Sequence, residues 1–438
     1  MNRNLNRRDF FKFGAAAGAS VVASGIVTPS KTNAQYSRKV KIGFVGVGGR
    51  GTSHLNSALR IEGVEVPALC DIKNSSLYNA KRLVEAAGQP APRLYGKNRT
   101  DFKRLCEQED LDVVICCTSW EWHTPVCLSA MKNSKNAVSE VPIVITVDEA
   151  WELVETYEST GKWATLGLEN YRRHTILNMV RKGLFGDVVH AEGEYVHDLR
   201  GTKFNPSGEP WRLQHSADRN GNLYPDHPMA SISCPFNINH GDRFDFLVSV
   251  SSRAKTINEF ANLNYGEDHP YATKKMAQGD YNQTILRTID GKLVTLNFDT
   301  NTPHPRSFFR LQGTKAVYMS QRALGQHYIY IDGISPRPHQ WESPDKYFEE
   351  YEHPIIKNHK PKPRVSVSTG SLPSSMIWER LIQAIREDRM PDTDVYDSIT
   401  SSVISPLSEI SVANRGKSVD FPDFTKGKWK TRPPIEFV

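Results

Sequence analysis

Val40-Lys41-Ile42-Gly43-Phe44-Val45-Gly46-Val47-Gly48-Gly49-Arg50-Gly51 decides the fold. Its first six residues have the apolar, β-branched character of a strand, its glycines make a turn, and residues 52–60 read as a helix. Val64-Glu65-Val66-Pro67-Ala68-Leu69-Cys70-Asp71 is then a second strand ending in an acid. In a strand-turn-helix-strand unit of this kind, Gly46 and Gly48 permit the tight turn and let a pyrophosphate approach the backbone at the helix N-terminus. Asp71 stands 20 residues after Gly51, where a carboxylate accepts from a ribose hydroxyl, so the stretch predicts dinucleotide binding. The acid favours NAD over NADP because it repels a 2′-phosphate; Arg50 beside the turn weakens that preference.

The pattern continues outward. Leu111-Asp112-Val113-Val114-Ile115-Cys116-Cys117-Thr118 is a buried parallel-strand run, and Ser119-Trp120-Glu121-Trp122-His123 follows at its C-terminal end, where open α/β sheets bind ligands. A helix at 124–133 leads to Asn136-Ala137-Val138-Ser139-Glu140-Val141-Pro142, and Thr146 is placed to N-cap a helix over 147–160. Alternating strands and helices over 40–170 predict a doubly wound parallel sheet, the Rossmann architecture. Beyond residue 185 the texture changes. Residues 188–197, 254–260, 282–287 and 292–298 alternate like strands of a largely antiparallel sheet. Residues 199–240 read as one long functional loop, 374–388 and 395–413 as helices over a sheet face, and the Pro-rich 333–366 as surface loop. The expected fold class is therefore α/β: a Rossmann doubly wound sheet over 35–170 and an α+β domain with a largely antiparallel sheet over 171–438.

The chain has 438 residues with a net charge of +6. Arg3, Arg7, Arg8, Lys12 and Lys31 against Asp9 account for +4 of it, so the basic balance makes no case for a nucleic-acid partner. Asn6-Arg7-Arg8-Asp9-Phe10-Phe11-Lys12, the mildly apolar Phe13 to Val27 and Thr32-Asn33-Ala34 read as a twin-arginine signal over 1–34, predicting a bacterial product that is periplasmic or exported. No other stretch is apolar enough to span a bilayer. Six cysteines without metal spacing read as buried thiols. His197, His215 and His240 with Asp198 and Asp226 show no ligand spacing, so no metal is expected.

Several longer phrases carry a resemblance. Gly46-Val47-Gly48-Gly49-Arg50-Gly51-Thr52, Trp120-Glu121-Trp122-His123, Glu140-Val141-Pro142, residues 177–186, His190-Ala191-Glu192-Gly193, His197-Asp198-Leu199-Arg200, Gly221-Asn222-Leu223-Tyr224-Pro225 and Gly241-Asp242-Arg243-Phe244-Asp245 are similar to the Gfo/Idh/MocA oxidoreductase superfamily. More narrowly, they resemble glycoside hydrolase family 109, known for an NAD-dependent α-N-acetylgalactosaminidase. The resemblance covers essentially the whole chain after the leader. It implies that Gly49, Arg50, Asp71, Trp120, His123, Glu140, Val141 and Asn170 contact NAD, beside Gly46, Gly48 and Gly51 of the glycine turn. It also implies that Tyr195, Arg212, Tyr224 and His227 face the sugar, with His227 or Tyr224 as the acid-base group. The implied chemistry is transient oxidation at C3 of the sugar, elimination across C2 and C1, addition of water and re-reduction, which lies outside the usual two-carboxylate scheme. An imidazole titrates near the working pH, and a phenol beside cations can be tuned toward it. Arg212 is suited to a sugar hydroxyl or an enolate.

Most oxidoreductases of the superfamily have Glu-Lys-Pro where this chain has Glu140-Val141-Pro142, which argues against an ordinary sugar dehydrogenase. Departures from family 109 bear on the substrate. Its Pro-Tyr-Ser, whose Tyr touches substrate, is here Pro305-Arg306-Ser307; the stretch after Asn170 is shorter, leaving the match of Tyr171 open; and Pro228-Met229-Ala230-Ser231 replaces a Gly-rich turn. Arg306 thus becomes a candidate substrate contact, toward an acidic sugar, a sulfated one or a different N-acyl hexosamine. Simpler readings stand beside these: His227 as a surface hydrogen-bonder, Tyr195 as sheet packing, Trp120 and Trp122 as core aromatics, Arg212 and Glu140 as interface ion pairs. Two other functions also stay open, an NAD-dependent sugar oxidoreductase and a non-catalytic, NAD-bound sugar-binding protein. By resemblance a homo-oligomer is expected.

Overall fold

The computed structural model describes residues 38–167, 173–359 and 374–437. The expected leader over 1–34 and the candidates Asn170 and Tyr171 lie outside the described residues.

Strands β1 (Val40–Val45), β2 (Val64–Cys70), β3 (Arg93–Tyr95), β4 (Val113–Cys116), β5 (Asn136–Ser139) and β6 (Ala164–Thr165) form one parallel sheet in the order β3-β2-β1-β4-β5-β6. Order reverses between β1 and β4, so the crevice at their C-terminal ends is the ligand-binding position of a doubly wound sheet. β4 reads as an unbroken apolar run, and β1 does so but for Lys41, because helices cover both faces. Val40, Ile42, Phe44, Val113 and Val114 are wholly buried. The helix Val147–Thr160 starts as the sequence predicts: Thr146 accepts from the Glu149 amide, Glu149 reaches back in a capping box, and Gly161 closes the helix at φ 68°.

A second sheet follows in the order β13-β12-β11-β7-β10-β9-β8-β14, built from β7 (Val188–Val196), β8 (Phe244–Ser251), β9 (Asn282–Thr288), β10 (Leu293–Asp299), β11 (Phe308–Gly313), β12 (Ala316–Gln321), β13 (Gln326–Ile331) and β14 (Val419–Asp420). All its pairings are antiparallel except β7 with β10. One face buries Leu247, Leu286, Leu296 and Leu311, while Gln283 and Arg287 point to solvent, which is the alternation seen in the sequence.

Two expectations are corrected. The segment expected as a strand over 254–260 is part of the helix Thr256–Tyr265. Its buried residues, Ile257 and Ala261, are four apart, and the Asp280 carboxylate accepts from the Lys255 and Thr256 amides as a cap supplied from outside the segment. The expected loop over 199–240 holds three short helices, Arg200–Phe204, Trp211–Asp218 and Asp226–Ile232, the last two starting directly after Pro210 and Pro225. Within 333–359, two further short helices occupy Asp345–Glu350 and Pro354–Lys357.

The C-terminal helices tie the sheets together. Trp378, on the helix Ser374–Arg386, is buried against the first sheet with its ring 6.5 Å from Phe44. The helix Ile404–Ala413 instead lies on β8, where the Ser249 amide donates to Ser411. No described helix is long and apolar enough to cross a membrane. All six cysteines are unpaired.

Candidate active site

One cleft of about 1140 Å³ runs from the crevice of the first sheet to β7, the helices Trp211–Asp218 and Asp226–Ile232, and the turn before β11. Among the described candidates it is lined by Gly46, Gly48, Gly49, Arg50, Asp71, Trp120, His123, Glu140, Val141, Tyr195, Arg212, Tyr224, His227 and Arg306.

The cofactor end is a backbone cradle. Gly46 adopts φ 82°, and a Cβ there would lie 2.6 Å from the Cys117 carbonyl oxygen, so this turn requires glycine. A Cβ at Gly48 or Gly49 would meet nothing within 4 Å, so these residues open onto the cleft. The helix Gly49–Ala58 has neither a side-chain cap nor an acid in its first turn, which leaves its leading amides for an anion. Gly51 does not line the cleft: a Cβ there would come 1.9 Å from the Gly46 carbonyl oxygen, so this glycine lets the helix sit down on the turn. Asp71 accepts from the Val47 and Lys73 amides, both at 2.8 Å, bracing the turn from the end of β2, and lines the cleft. These features fit a dinucleotide.

Glu140 and His123 prove more constrained than the sequence suggests. Burial alone would raise the Glu140 pKa, but the His54 hydrogen bond at 2.5 Å and the Arg50 charge, with Nε at 2.7 Å, outweigh it and hold it at about 2. Sequence reasoning missed His54. Its Nδ1 faces the indole N–H of Trp378 at 3.3 Å; an indole only donates, so Nδ1 accepts and Nε2 carries the hydrogen given to Glu140. His123 is buried with Nδ1 2.6 Å from the Pro142 carbonyl and Nε2 3.0 Å from that of Thr118. Burial lowers its pKa, so the neutral ring donates its single N–H to one of these carbonyls while lying against both loops.

The opposite wall is aromatic. Trp120 stacks on Tyr224 at 5.3 Å and meets Trp211 edge-on at 5.2 Å. The Arg212 guanidinium lies over Trp211, Trp120 and Tyr224 at 4.5, 5.0 and 5.2 Å, and its Nε is hydrogen-bonded to Glu209. Tyr195 stacks on His227 at 4.9 Å and packs edge-on to Tyr224 at 4.5 Å. The expectation that nearby cations lower the Tyr224 phenol is overturned: burial pushes its pKa up strongly, and the Arg212 charge only partly opposes this. Tyr224 therefore keeps its proton. Burial also raises Tyr195 and, with the Arg306 and Arg212 charges, lowers His197 to about 4.

Arg212 and Glu140 are each ion-paired, but not to one another. The three histidines weighed as metal ligands occupy separate settings: His197 beside Tyr195, His215 against Trp120 and Glu121, and His240 with Asp397.

Comparison with known proteins accords with this geometry. A family model described as glycosyl hydrolase 109, C-terminal domain, matches residues 171–431, and one described as oxidoreductase family, NAD-binding Rossmann fold, matches residues 40–168. An alpha-N-acetylgalactosaminidase of Shewanella oneidensis is 35% identical, with 99% of each chain covered. A glycosyl hydrolase family 109 protein of Stenotrophomonas maltophilia is 39% identical, with 98% of each covered. Among solved structures, a levoglucosan dehydrogenase in complex with NADH and levoglucosan superposes with a TM-score of 0.65 at 16% identity, over 88% of this chain and 100% of its own. An inositol dehydrogenase homolog complexed with NAD+ from Azotobacter vinelandii superposes at 0.64 and 16%, over 88% of this chain and 98% of its own. At such identities these structures speak to the fold alone.

Proposed function

The chain belongs to glycosyl hydrolase family 109 and is an NAD-dependent glycosidase; from that premise we propose that it hydrolyses an N-acetylhexosaminide, such as an α-N-acetylgalactosaminide, by redox-assisted elimination. The observation that carries this reading is the wall shared by Val141 and the Tyr195-Tyr224-His227 cluster. Where oxidoreductases of this fold resemble one another in a cleft lysine, Val141 offers no ammonium, so proton transfer falls to the cluster.

NAD, when bound, supplies a reversible hydride acceptor. Gly46, Gly48 and Gly49 would hold its phosphates, Asp71 its ribose, and Glu140, anionic and fixed by Arg50 and His54, would orient the end nearest the sugar. His227 then takes the proton from C2 of the sugar as the glycosidic oxygen leaves C1. Tyr224, kept protonated by burial, donates to an oxygen of the substrate, and the Arg212 guanidinium beside it stabilises the negative charge that develops there. The flat face of Tyr195 aligns His227 through their stacking. Trp120 and Trp211 wall this corner edge to face. With addition of water at C1, return of the proton to C2 and return of the hydride to C3, the net reaction is redox-neutral hydrolysis.

The test is phenol release from a panel of aryl α- and β-glycosides in deuterated buffer without added NAD. Release with deuterium at C2 is the expected result. Release without deuterium refutes the elimination, and no release with NADH forming from free sugars and added NAD makes the protein a dehydrogenase.

A further inference from the structure

Two arginines enter the cleft from the far end of the second sheet. Arg306 lies in the turn before β11, and Arg322 follows β12; Phe308 pairs with Gln321, and the Arg322 amide donates to the Ser307 carbonyl at 3.1 Å, so the two side chains rise from adjacent positions on neighbouring strands. Neither guanidinium has a hydrogen bond or ion pair to any described residue.

This sets them apart from the arginines beside Glu140 and Tyr224. Arg50 and Arg212 are each paired with a carboxylate. The lining carboxylates are all engaged elsewhere: Asp71 by backbone amides, Glu121 by Ser119 and His215, Glu140 by Arg50 and His54, Glu194 by the Phe308 amide and Asn297, and Glu209 by Arg212. Arg306 is half-buried, and both burial and the charge of Arg322 disfavour its charged form; only the Tyr195 phenol opposes them. Two cations thus stand on neighbouring strands of a cleft wall that has no free anion among its described residues. Guanidinia so placed match a planar or tetrahedral oxyanion, which would bridge them through charge-assisted hydrogen bonds.

We propose that Arg306 and Arg322 form an oxyanion subsite that selects glycosides carrying a sulfate ester or a carboxylate. The proposal rests on the glycosidase reading and names its substrate class. Both arginines are felt electrostatically at Tyr195, which stacks on His227, and at His197, which packs against Tyr195. An anion held there therefore belongs to the reacting sugar or to the unit joined to it.

The experiment compares kcat/KM of the NAD-loaded protein for aryl N-acetyl-α-galactosaminide, its 4- and 6-sulfates, and the matching aryl galacturonide. One charged arm is expected to exceed the neutral substrate by about tenfold or more, with the preference weakening as salt is added. The sulfate and uronide arms separate the two sources of the charge. In Arg306→Gln and in Arg322→Gln the charged-to-neutral ratio should fall toward one, with thermal melting run in parallel to confirm folding. A neutral substrate preferred by the parent, or a ratio unchanged in both variants, overturns the subsite. Calorimetric titration with free N-acetylgalactosamine and its 6-sulfate gives a readout that needs no cleavage. Tighter binding of the sulfate that disappears in Arg306→Gln, with no glycoside cleaved, would sustain the subsite and refute the glycosidase. Cleavage without any charge-dependent binding would do the reverse.

Discussion

Replacing Asp226 by asparagine should make the protein more stable in mild alkali and not in acid. Asp226 opens the helix that carries His227 and is buried. Ser402 donates to its Oδ1 at 2.5 Å, while Oδ2 has no hydrogen-bond partner among the described residues. Burial pushes its pKa up to about 7, with the Ser402 hydrogen bond only partly opposing. An unfolded aspartate titrates near 3.9. Between those values the native state keeps a proton that the unfolded chain has lost, so stability falls as pH rises through that window, by roughly 1.4 kcal/mol per unit and about 4 kcal/mol in all. The asparagine side chain would stay neutral throughout. Its oxygen can still accept from Ser402, and leaving its amide unpaired costs about 1 kcal/mol. Relative to the parent, Asp226→Asn should thus be less stable by about 1 kcal/mol at pH 4 and more stable by about 3 kcal/mol at pH 8. Urea midpoints measured every half unit from pH 4 to 8 follow the difference directly. Profiles that run parallel across the range would show that Asp226 is ionised in the native state and refute the argument.

Three further outcomes follow from the geometry of the cleft, and a fourth from the sequence of the N-terminus. His227→Ala and Tyr224→Phe should each lower kcat by about 10²-fold or more while NAD is retained, as absorbance of the purified protein would report; full activity in both would remove the catalytic assignment. The Glu140 pKa is lowered, so its stabilising contribution is complete above the ordinary carboxylate value of 4.5 and is lost as pH falls from there to about 2. His54→Ala should cost about 3 kcal/mol at neutral pH and move the acid unfolding transition, followed by tryptophan fluorescence, to higher pH. Gly51→Ala sets a methyl against the Gly46 carbonyl and should cost about 2 kcal/mol or more and abolish NAD retention, whereas Gly49→Ala should leave melting nearly unchanged. We further propose export through the twin-arginine route; replacing Arg7 and Arg8 together by lysine should leave the protein in the cytoplasmic fraction.

The parts of this molecule that were legible in the sequence are those whose signal is local. The glycine turn, Asp71 and the capping box at Thr146 each depend on residues within one or two elements, and they stand where the pattern puts them. The strand expected over 254–260 was lost because its cap, Asp280, comes from beyond the segment. His54 gave no signal because its meaning depends on Trp378, 324 positions away. Tyr224 was misjudged for a related reason: charged neighbours can be guessed from a family phrase, but the depth of burial that outweighs Arg212 is a property of the assembled cleft. Arg306 could be noticed as a departure; Arg322, its companion, becomes visible only when β11 and β12 pair.

The packing of Trp378 on Phe44 also sets an order of events during synthesis. The first sheet is complete in the chain by Thr165, yet part of its surface is covered only by the helix that starts at Ser374. While the ribosome makes the intervening stretch, that apolar patch has no native cover, and the Trp378 partner of the His54-Glu140 pair does not yet exist. A nascent chain of this protein therefore cannot finish its nucleotide pocket one domain at a time. The pocket matures only near the end of translation, once the helix that starts at Ser374 has been made.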